Sequence, residues 1–256
     1  MDLPGHPNAI LHGPHLPFSS LANNEYAMTA KTHLHKELEA LKVRLLEMVA
    51  LTERAVHNSI RAYVDRNQDL AEAVIDQDAA INALDVEIDK TCLELLAREC
   101  PVAQDLRFLL GCVRISIEIE RIADEAVNIA EHSLTLSNRP PLPFQDDITF
   151  MAHKVSRMFE LAIRSLTAED PQGALEVRNT DDEVDALHHT TIKKIIKFMV
   201  SDTPAIERSV YTINIVKRLE RIGDLATNVA ESVVFIFKGI NIRHHTRFDG
   251  FDEYSA

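Results

Sequence analysis

One twelve-residue stretch occurs twice in this chain. Residues 120–131 read ERIADEAVNIAE and residues 220–231 read ERIGDLATNVAE, identical at eight of twelve positions. A repeat at an interval of 100 residues constrains the fold more than any local signal, because each copy must build the same unit. As a helix, with about 100° between successive residues, the first copy places Ile115, Ile119, Ile122, Ala126 and Ile129 on one apolar face. Glu120, Asp124, Asn128 and Glu131 fall opposite. The second copy sets Ile215, Leu219, Ile222, Ala226 and Val229 against Glu220, Asp224, Asn228 and Glu231. Carboxylates one helical turn apart repel, by roughly a few tenths of a kcal/mol per pair. A self-repelling strip kept in both copies points to something positive bound on it, and hard cations prefer such oxygen ligands. A solvated acidic face is the competing reading, and for one helix alone it is the better one. The duplication favours a site.

The repeat extends beyond the motif. From about residue 33, Leu34, Leu38, Leu41, Leu45, Val49, Val56, Ile60 and Tyr63 recur at helical spacing. A second helix is predicted over 68–99, with Val74, Ile81, Leu84, Ile88, Cys92 and Leu95 as its apolar stripe. Pro101 suits the first turn of a third helix, where its missing N–H costs nothing. That helix carries the first motif and ends near residue 138. Arg139-Pro140-Pro141-Leu142-Pro143 then forms a stiff boundary. A fourth helix is predicted over 146–167. Pro171 opens a fifth, and Pro204 opens a sixth that runs to about Gly239. The halves align at an offset of 103 through two helices, Met48 with Met151, Asp78 with Asp181 and Leu84 with Leu187, and at 100 in the third. The predicted fold is all-α, two tandem, internally duplicated three-helix bundles made of six long helices. A pseudo-twofold or a pseudo-translation relates them, and short turns make sequential helices antiparallel. The expected divisions are a flexible N-terminal extension over 1–30, a first bundle over 31–139, a second over 144–241 and a polar tail over 242–256. The histidines of the extension, His6, His12 and His15, read as part of a flexible tail rather than a site.

Composition agrees with helix: there are only 7 Gly and no Trp among 256 residues. The formal net charge of −13 opposes nucleic-acid binding and suits cations or a basic partner. Cys92, Cys100 and Cys112 form no CxxC pair, so a disulfide framework or cysteine zinc site is not expected. Cys92 reads as a small core residue. No run approaches the ~18 apolar residues of a membrane span. The first residues lack the basic start and apolar core of a signal peptide. The expected location is cytoplasmic.

A second acidic strip lies on the middle helix of each half. Asp78, Asn82, Asp85 and Asp89 flank the apolar stripe of the second helix; their equivalents in the fifth are Asp181, Asp185, His188 and Ile192. Second and third helices must pack together through a short turn, so their acidic edges converge. The candidate metal ligands are therefore Asp78, Asp85, Glu120 and Asp124 in the first half, and Asp181, Asp185, His188, Glu220 and Asp224 in the second. Asn82 in place of a carboxylate weakens the first site, and His188 turns the second towards a transition metal such as iron or zinc. Neighbours on a helix point about 100° apart, so at most one of His188 and His189 joins the site. The competing reading has Arg121 and Arg221 neutralising acids on neighbouring helices.

Taken together these residues resemble the PhoU family. The resemblance covers residues 33 to about 245 and rests on HLHKELEALKVRLLEM (33–48), CPVAQDLRFLL (100–110), the two acidic motifs and KGINIRH (238–244). It implies two three-helix bundles with an E(D)xxxD hallmark, met by Glu120/Asp124, Glu220/Asp224 and Asp181/Asp185. Asp78-x-x-x-Asn82 departs from it. It also implies divalent or trivalent metal ions, as multinuclear iron or as zinc, on these faces. It implies no enzymatic activity but a negative regulator of phosphate uptake and of the phosphate-starvation response. Such a protein is an adaptor linking a phosphate ABC transporter to a sensor histidine kinase. A homodimer, working in the cytoplasm at the inner face of the membrane, is implied too. Two other classes stay open. A di-metal carboxylate bundle enzyme calls for Glu-x-x-His on two helices, and the nearest match is Asp185-x-x-His188, once. A ligand-free helical scaffold predicts stability indifferent to chelators.

Overall fold

Six long helices and one short 3-10 turn make up the secondary structure of the computed structural model, which describes residues 18–242 and side chains from residue 33 onward. The helices are α1 (Phe18–Asp65), α2 (Gln68–Glu99), α3 (Ala103–Ser137), α4 (Gln145–Thr167), α5 (Pro171–Ser201) and α6 (Ile206–Lys238). Helix α1 starts at Phe18, so residues 18–30, expected as a flexible extension, are helical. Residues 1–17 and 243–256, with the N-terminal histidines and most of the expected tail, lie outside the described residues. The expected all-α pair of three-helix bundles is what forms, with α1–α3 packed together and α4–α6 packed together.

Local chemistry sets the helix ends, and it repeats too. Asn67 caps α2 by accepting from the Leu70 N–H at 2.9 Å. Its counterpart at an offset of 103, Asp170, caps α5 by accepting from Gln172 N–H at 3.0 Å. Each such cap contributes about 1 kcal/mol. Pro171 occupies the first turn of α5 as expected. Pro101 does not enter α3. Cys100 takes a left-handed conformation that ends α2, and α3 begins only at Ala103 after an extended Val102. Pro204 sits in the 3-10 turn Thr203–Ala205 that leads into α6. Gly239, left-handed at φ 72°, closes α6.

The third helix of each half is the structural centre. In α3 and α6 the expected apolar stripes are fully buried, Ile115, Ile119, Ile122 and Ile129 against Ile215, Leu219, Ile222 and Val229. A second buried stripe of small residues runs beside each: Ser116, Ala123 and Ala130 in α3, and Val216, Gly223 and Ala230 in α6. That stripe faces its own bundle, since a Cβ at Gly223 would meet Met158 and Val184, and it is another side of α3 and α6, with Gly111 against Ile236, that packs the two helices together. Arg107 meets Ile236, Glu118 meets Asn228, Glu125 meets Arg218 and His132 meets Tyr211. Partner numbers fall as those of α3 rise, so the helices are antiparallel. A shift of 100 residues exchanges the two helices and keeps this register. The halves are thus related by a pseudo-twofold axis near Ala123 and Gly223, not by translation. A shorter α1–α4 seam obeys the same dyad, with Glu53 and His57 facing Glu160 and Ser156 across a groove.

The proline linker is tied down at both sides. The Arg66 guanidinium donates to the carbonyls of Leu136, Ser137 and Arg139, covering the C-terminal end of α3. A cation there complements the helix dipole. Arg208 of α6 donates to the Pro140 carbonyl at 2.8 Å, and Leu142 and Phe144 are buried. Cys92 and Cys112 lie fully buried, while Cys100 is exposed. Burial pushes the Cys92 thiol up to about 12, with Asp89 adding to it, as befits an inert core residue. No described helix is long and apolar enough to cross a membrane.

The close α3–α6 approach yields a test. A Cβ at Gly111 would lie 2.2 Å from Ile236 Cγ1, and Ile236 is fully buried. Gly111→Ala gains about 1 kcal/mol in helix propensity, yet overpacking costs about 1–3 kcal/mol. We expect a lower urea midpoint at unchanged m-value. Combined with Ile236→Ala, the loss should be smaller than the sum of the two singles.

Candidate functional site

Both acidic groupings read from the sequence assemble, each between the second and third helix of its own bundle. In the first half, the apolar stripe Val74, Ile81, Leu84, Ile88 seats α2 on α3. Asp78 and Asp85 then sit beside that seam, opposite Glu120 and Asp124. Their mutual influence is felt at Glu120. Burial holds its carboxyl above the usual range, and Asp124, Asp85 and Asp78 push it further up against the pull of Arg121. Asp124 is likewise raised, by burial and then by Asp78. Asp78 Oδ1 and Asp85 Oδ1 are buried with no hydrogen-bond partner. Asn82 donates to the other oxygen of Asp78 at 2.8 Å. Asp89, further along α2, is exposed.

In the second half, Val177, Val184 and Ile195 are fully buried and seat α5 on α6. Asp181, Asp185 and His188 then face Glu220 and Asp224. Asp181 is pushed up to about 6, by burial first and then by Asp224, Asp185 and Asp182, with Arg178 opposing. Burial raises Glu220, and Asp224 and Asp185 add to it. Burial raises Asp224 as well, against the pull of Arg221. Burial lowers His188 despite the carboxylate of Asp185. His188 Nδ1 lies 4.0 Å from Glu220 Oε1, and its Nε2 is buried without a partner. Its neighbour His189 is exposed, so one histidine joins the group.

The arginines behave differently from expectation. Arg121 pairs with Glu118 at 3.7 Å and Arg221 with Asp224 at 3.6 Å, each along its own helix. Neither bridges to a neighbouring helix to neutralise the strips. A helical arginine reaches the residue three positions away on its own face more readily than the next helix.

Nine candidate ligands thus converge as four and five, with three orphaned polar atoms among them: Asp78 Oδ1, Asp85 Oδ1 and His188 Nε2. As the side chains stand, no three His, Cys, Asp or Glu among the described residues close on one point in a metal-holding geometry. The donor set, oxygen-rich with one imidazole, has the donor types of a hard or borderline cation site, and its three buried atoms without partners are where an ion or water would bind.

A second polar constellation escaped the sequence reading. Glu118 is buried at 5% exposure and accepts from Asn228 at 3.3 Å. Arg218 donates to Glu125 at 3.0 Å. These contacts staple α3 to α6. The available signal was the spacing of Gly111, Glu118, Glu125 and His132 at seven-residue intervals, which puts all four on one side of α3.

Comparison with known proteins bears on the whole chain. A family model described as "PhoU domain" matches residues 45–133 and 148–233, one span per bundle. The chain is 33% identical to a phosphate-specific transport system accessory protein PhoU homolog of Zymomonas mobilis, over 83% of this chain and 90% of that one. Its structure resembles the crystal structure of PhoU from Pseudomonas aeruginosa with a TM-score of 0.78 at 32% identity, covering 80% of this chain and 99% of that one. The phosphate transport system regulatory protein PhoU from Streptococcus pneumoniae has the same fold, with a TM-score of 0.76 at 24% identity over 81% and 98% of the two chains.

The crowded carboxylates predict a pH dependence. Asp181 has a folded pKa of about 6, above its ordinary value of 3.8. Its protonation therefore stabilises the fold fully below about pH 3.8, and that contribution is lost as pH rises through about 6. Asp181→Asn should raise the stability of the metal-free protein at pH 7 by about 1 kcal/mol, a figure discounted for solvent screening of a half-exposed group. Thermal melts of both proteins between pH 4 and 7 should converge at the acid end and separate at the neutral end.

Proposed function

This chain belongs to the PhoU family, and on that premise we propose that it is an accessory regulator of phosphate transport. In this reading it is an adaptor that damps phosphate uptake and the phosphate-starvation response by linking a phosphate ABC transporter to a sensor histidine kinase. The observation that carries the reading is the coincidence of two repeats. Each family-matched span is one bundle, and each bundle carries one crowded acidic group between its second and third helices. The protein would work in the cytoplasm, reach the membrane through its partners alone, and associate as a homodimer.

The acidic faces are the working surfaces. Asp78, Asp85, Glu120 and Asp124 would hold metal in the first half, and Asp181, Asp185, His188, Glu220 and Asp224 in the second. When bound, iron or zinc supplies positive charge that cancels the repulsion among these carboxylates. The remaining work belongs to the chain. α2 and α3 fix two carboxylates each at one seam, and α5 and α6 do the same at the other. Each seam presents a rigid, strongly negative ridge to a partner. Drawing the side chains together changes that ridge in charge and shape, so partner affinity depends on loading. Differential affinity for two states of a partner is what shifts it between them.

Two measurements test the reading. Elemental analysis of purified protein should find metal, and Glu220→Ala with Asp224→Ala should remove the share held by the second half. Chelation should lower the melting temperature, since ligand at about 100 times Kd stabilises by about 2.7 kcal/mol. Pull-down with the transporter ATPase and the kinase tests the adaptor role separately. Capture of neither partner, by metal-loaded or metal-free protein, would refute it.

A further inference from the structure

Among the described residues, the large apolar side chains most open to solvent are not scattered. Val86 and Leu93 of α2 and Leu106, Leu110 and Ile117 of α3 are between 36% and 67% exposed. On α3 they follow the three- and four-residue steps Leu106, Leu110, Val113, Ile117, Glu120, Asp124, which keep to one side of the helix. On α2 the matching line runs Asp78, Asn82, Asp85, Asp89, Leu93. Asp85 acts on Glu120 and Asp78 on Asp124, so the helices run antiparallel. In that register Leu93 falls level with Leu110 and Val86 with Ile117. One outer face of the first bundle is thus apolar along one half and acidic along the other. Arg121 at its margin is held by Glu118 at 3.7 Å. Leu106 to Ile117 spans about 16 Å and Leu106 to Asp124 about 27 Å, at about 1.5 Å per residue.

The second bundle keeps the apolar end but not the junction. Ile196, Ile206 and Val210 stand where the first has Leu93, Leu106 and Leu110, and they are exposed likewise. Where the first has Val86 and Ile117, beside the acids, the second has His189 and Lys217, both exposed. Of the two bundles, only the first passes unbroken from apolar to acidic.

A gathered, exposed apolar surface marks an interaction site, and its chemistry selects the occupant. Both helices satisfy their own backbone groups, so no strand adds at an edge. The mode left is an amphipathic helix laid across α2 and α3. An anionic lipid surface is repelled by the acids. A second copy of this face fails as well. Side by side it sets acids on acids, and turned end for end it leaves them on apolar residues or uncovered. A helix with an apolar stretch followed by a basic one matches both halves.

We propose that this face of α2 and α3 docks an amphipathic, basic helix of about 18 residues from a protein partner. Its apolar residues lie on Val86, Leu93, Leu110 and Ile117, and its lysines or arginines lie over Asp78, Asp85, Glu120 and Asp124. This rests on the adaptor part of the proposed function and adds which part of a partner is held.

Two arms test it. In the first, the full chain is titrated against a labelled 18-residue helical peptide (about the length of the face), with leucines along one side of one half and lysines along that side of the other. Fluorescence anisotropy should show it binding at least about tenfold tighter than a scrambled peptide or one with glutamate for lysine. Leu110→Ser with Ile117→Ser should weaken it at least about tenfold. Asp78→Asn with Asp124→Asn should do the same and also flatten the salt dependence. Val43→Ser with Phe150→Ser, at exposed apolar positions of α1 and α4, should change nothing. Equal binding of the scrambled peptide, or indifference to the Leu110 and Ile117 pair, overturns the site. In the second arm, the Leu110 and Ile117 variant should lose whichever of the transporter ATPase and the kinase the wild type captures. Capture by both proteins alike overturns the face while the adaptor role stands. Capture of neither by the wild type refutes the adaptor role, and the face falls with it. If the same variant lowers the oligomeric state in analytical ultracentrifugation, the face belongs to a second copy and the helical partner is overturned.

Discussion

The apolar seam between the second and third helix of each bundle holds like charges where they would not choose to be. Ile81 and Ile88 in α2, and Val177, Val184 and Ile195 in α5, are essentially removed from water. Burial of such side chains is worth about 1.5–3 kcal/mol each. Two like charges about 6 Å apart repel by roughly 3 kcal/mol at a near-surface dielectric of about 20. A few seam residues therefore suffice to hold the carboxylates in opposition. Burial first, and neighbouring carboxylates after it, raise Glu120, Asp124, Asp181, Glu220 and Asp224 above the ordinary carboxylate range.

The dyad explains why there are two such seams and how they are joined. The α3–α6 contact carries polar staples on both sides of the axis, Glu118 with Asn228 and Glu125 with Arg218. Glu118 and Glu125 lie within one or two turns of Glu120 on the same helix, yet they face α6 rather than α2. One helix thus separates its acids by direction. Those facing α2 remain unneutralised across the helix seam, and those facing α6 are matched by Asn228 and Arg218. The net charge of −13 is therefore not spread evenly in its effect. Acids at the inter-bundle seam have partners on the other bundle, whereas those of the acidic groups are met only from within their own, Asp78 by Asn82 and Asp224 by Arg221.

Much of this was readable in the residues. The six helices, the proline boundary, Pro171 at the start of α5, and the placing of acids from the second and third helix of each half beside one seam follow from periodicity and the offset of 103. What was not readable depends on contacts between distant segments. The repeat alone is compatible with translation or rotation, and only the antiparallel register of α3 on α6 selects the dyad. Pro101 is compatible with a first helical turn, but the left-handed Cys100 and extended Val102 delay α3 by two residues. The acidic strips were read as lying opposite the apolar face. In fact α3 is buried on several sides, so Glu120 lies at a flank, half-covered. The competing reading, with Arg121 and Arg221 reaching acids on neighbouring helices, does not form, because local geometry gives them partners three residues away.

The location of the acids on the third helix gives the fold its regulatory logic. α3 and α6 are the only described helices that contribute to both an acidic group and the contact that joins the bundles. Arg121 extends that overlap, since it pairs with Glu118 of the inter-bundle seam while lowering the carboxyl of Glu120 beside it. Arg221 differs, since it pairs with Asp224 and lowers Glu220, both within the acidic group itself. Neutralising the acids would therefore cost Arg121 one of these attractions and Arg221 both. Under the proposed adaptor function, a change of charge in the acidic group would reach the inter-bundle contact along the one helix that carries both, without a separate moving part.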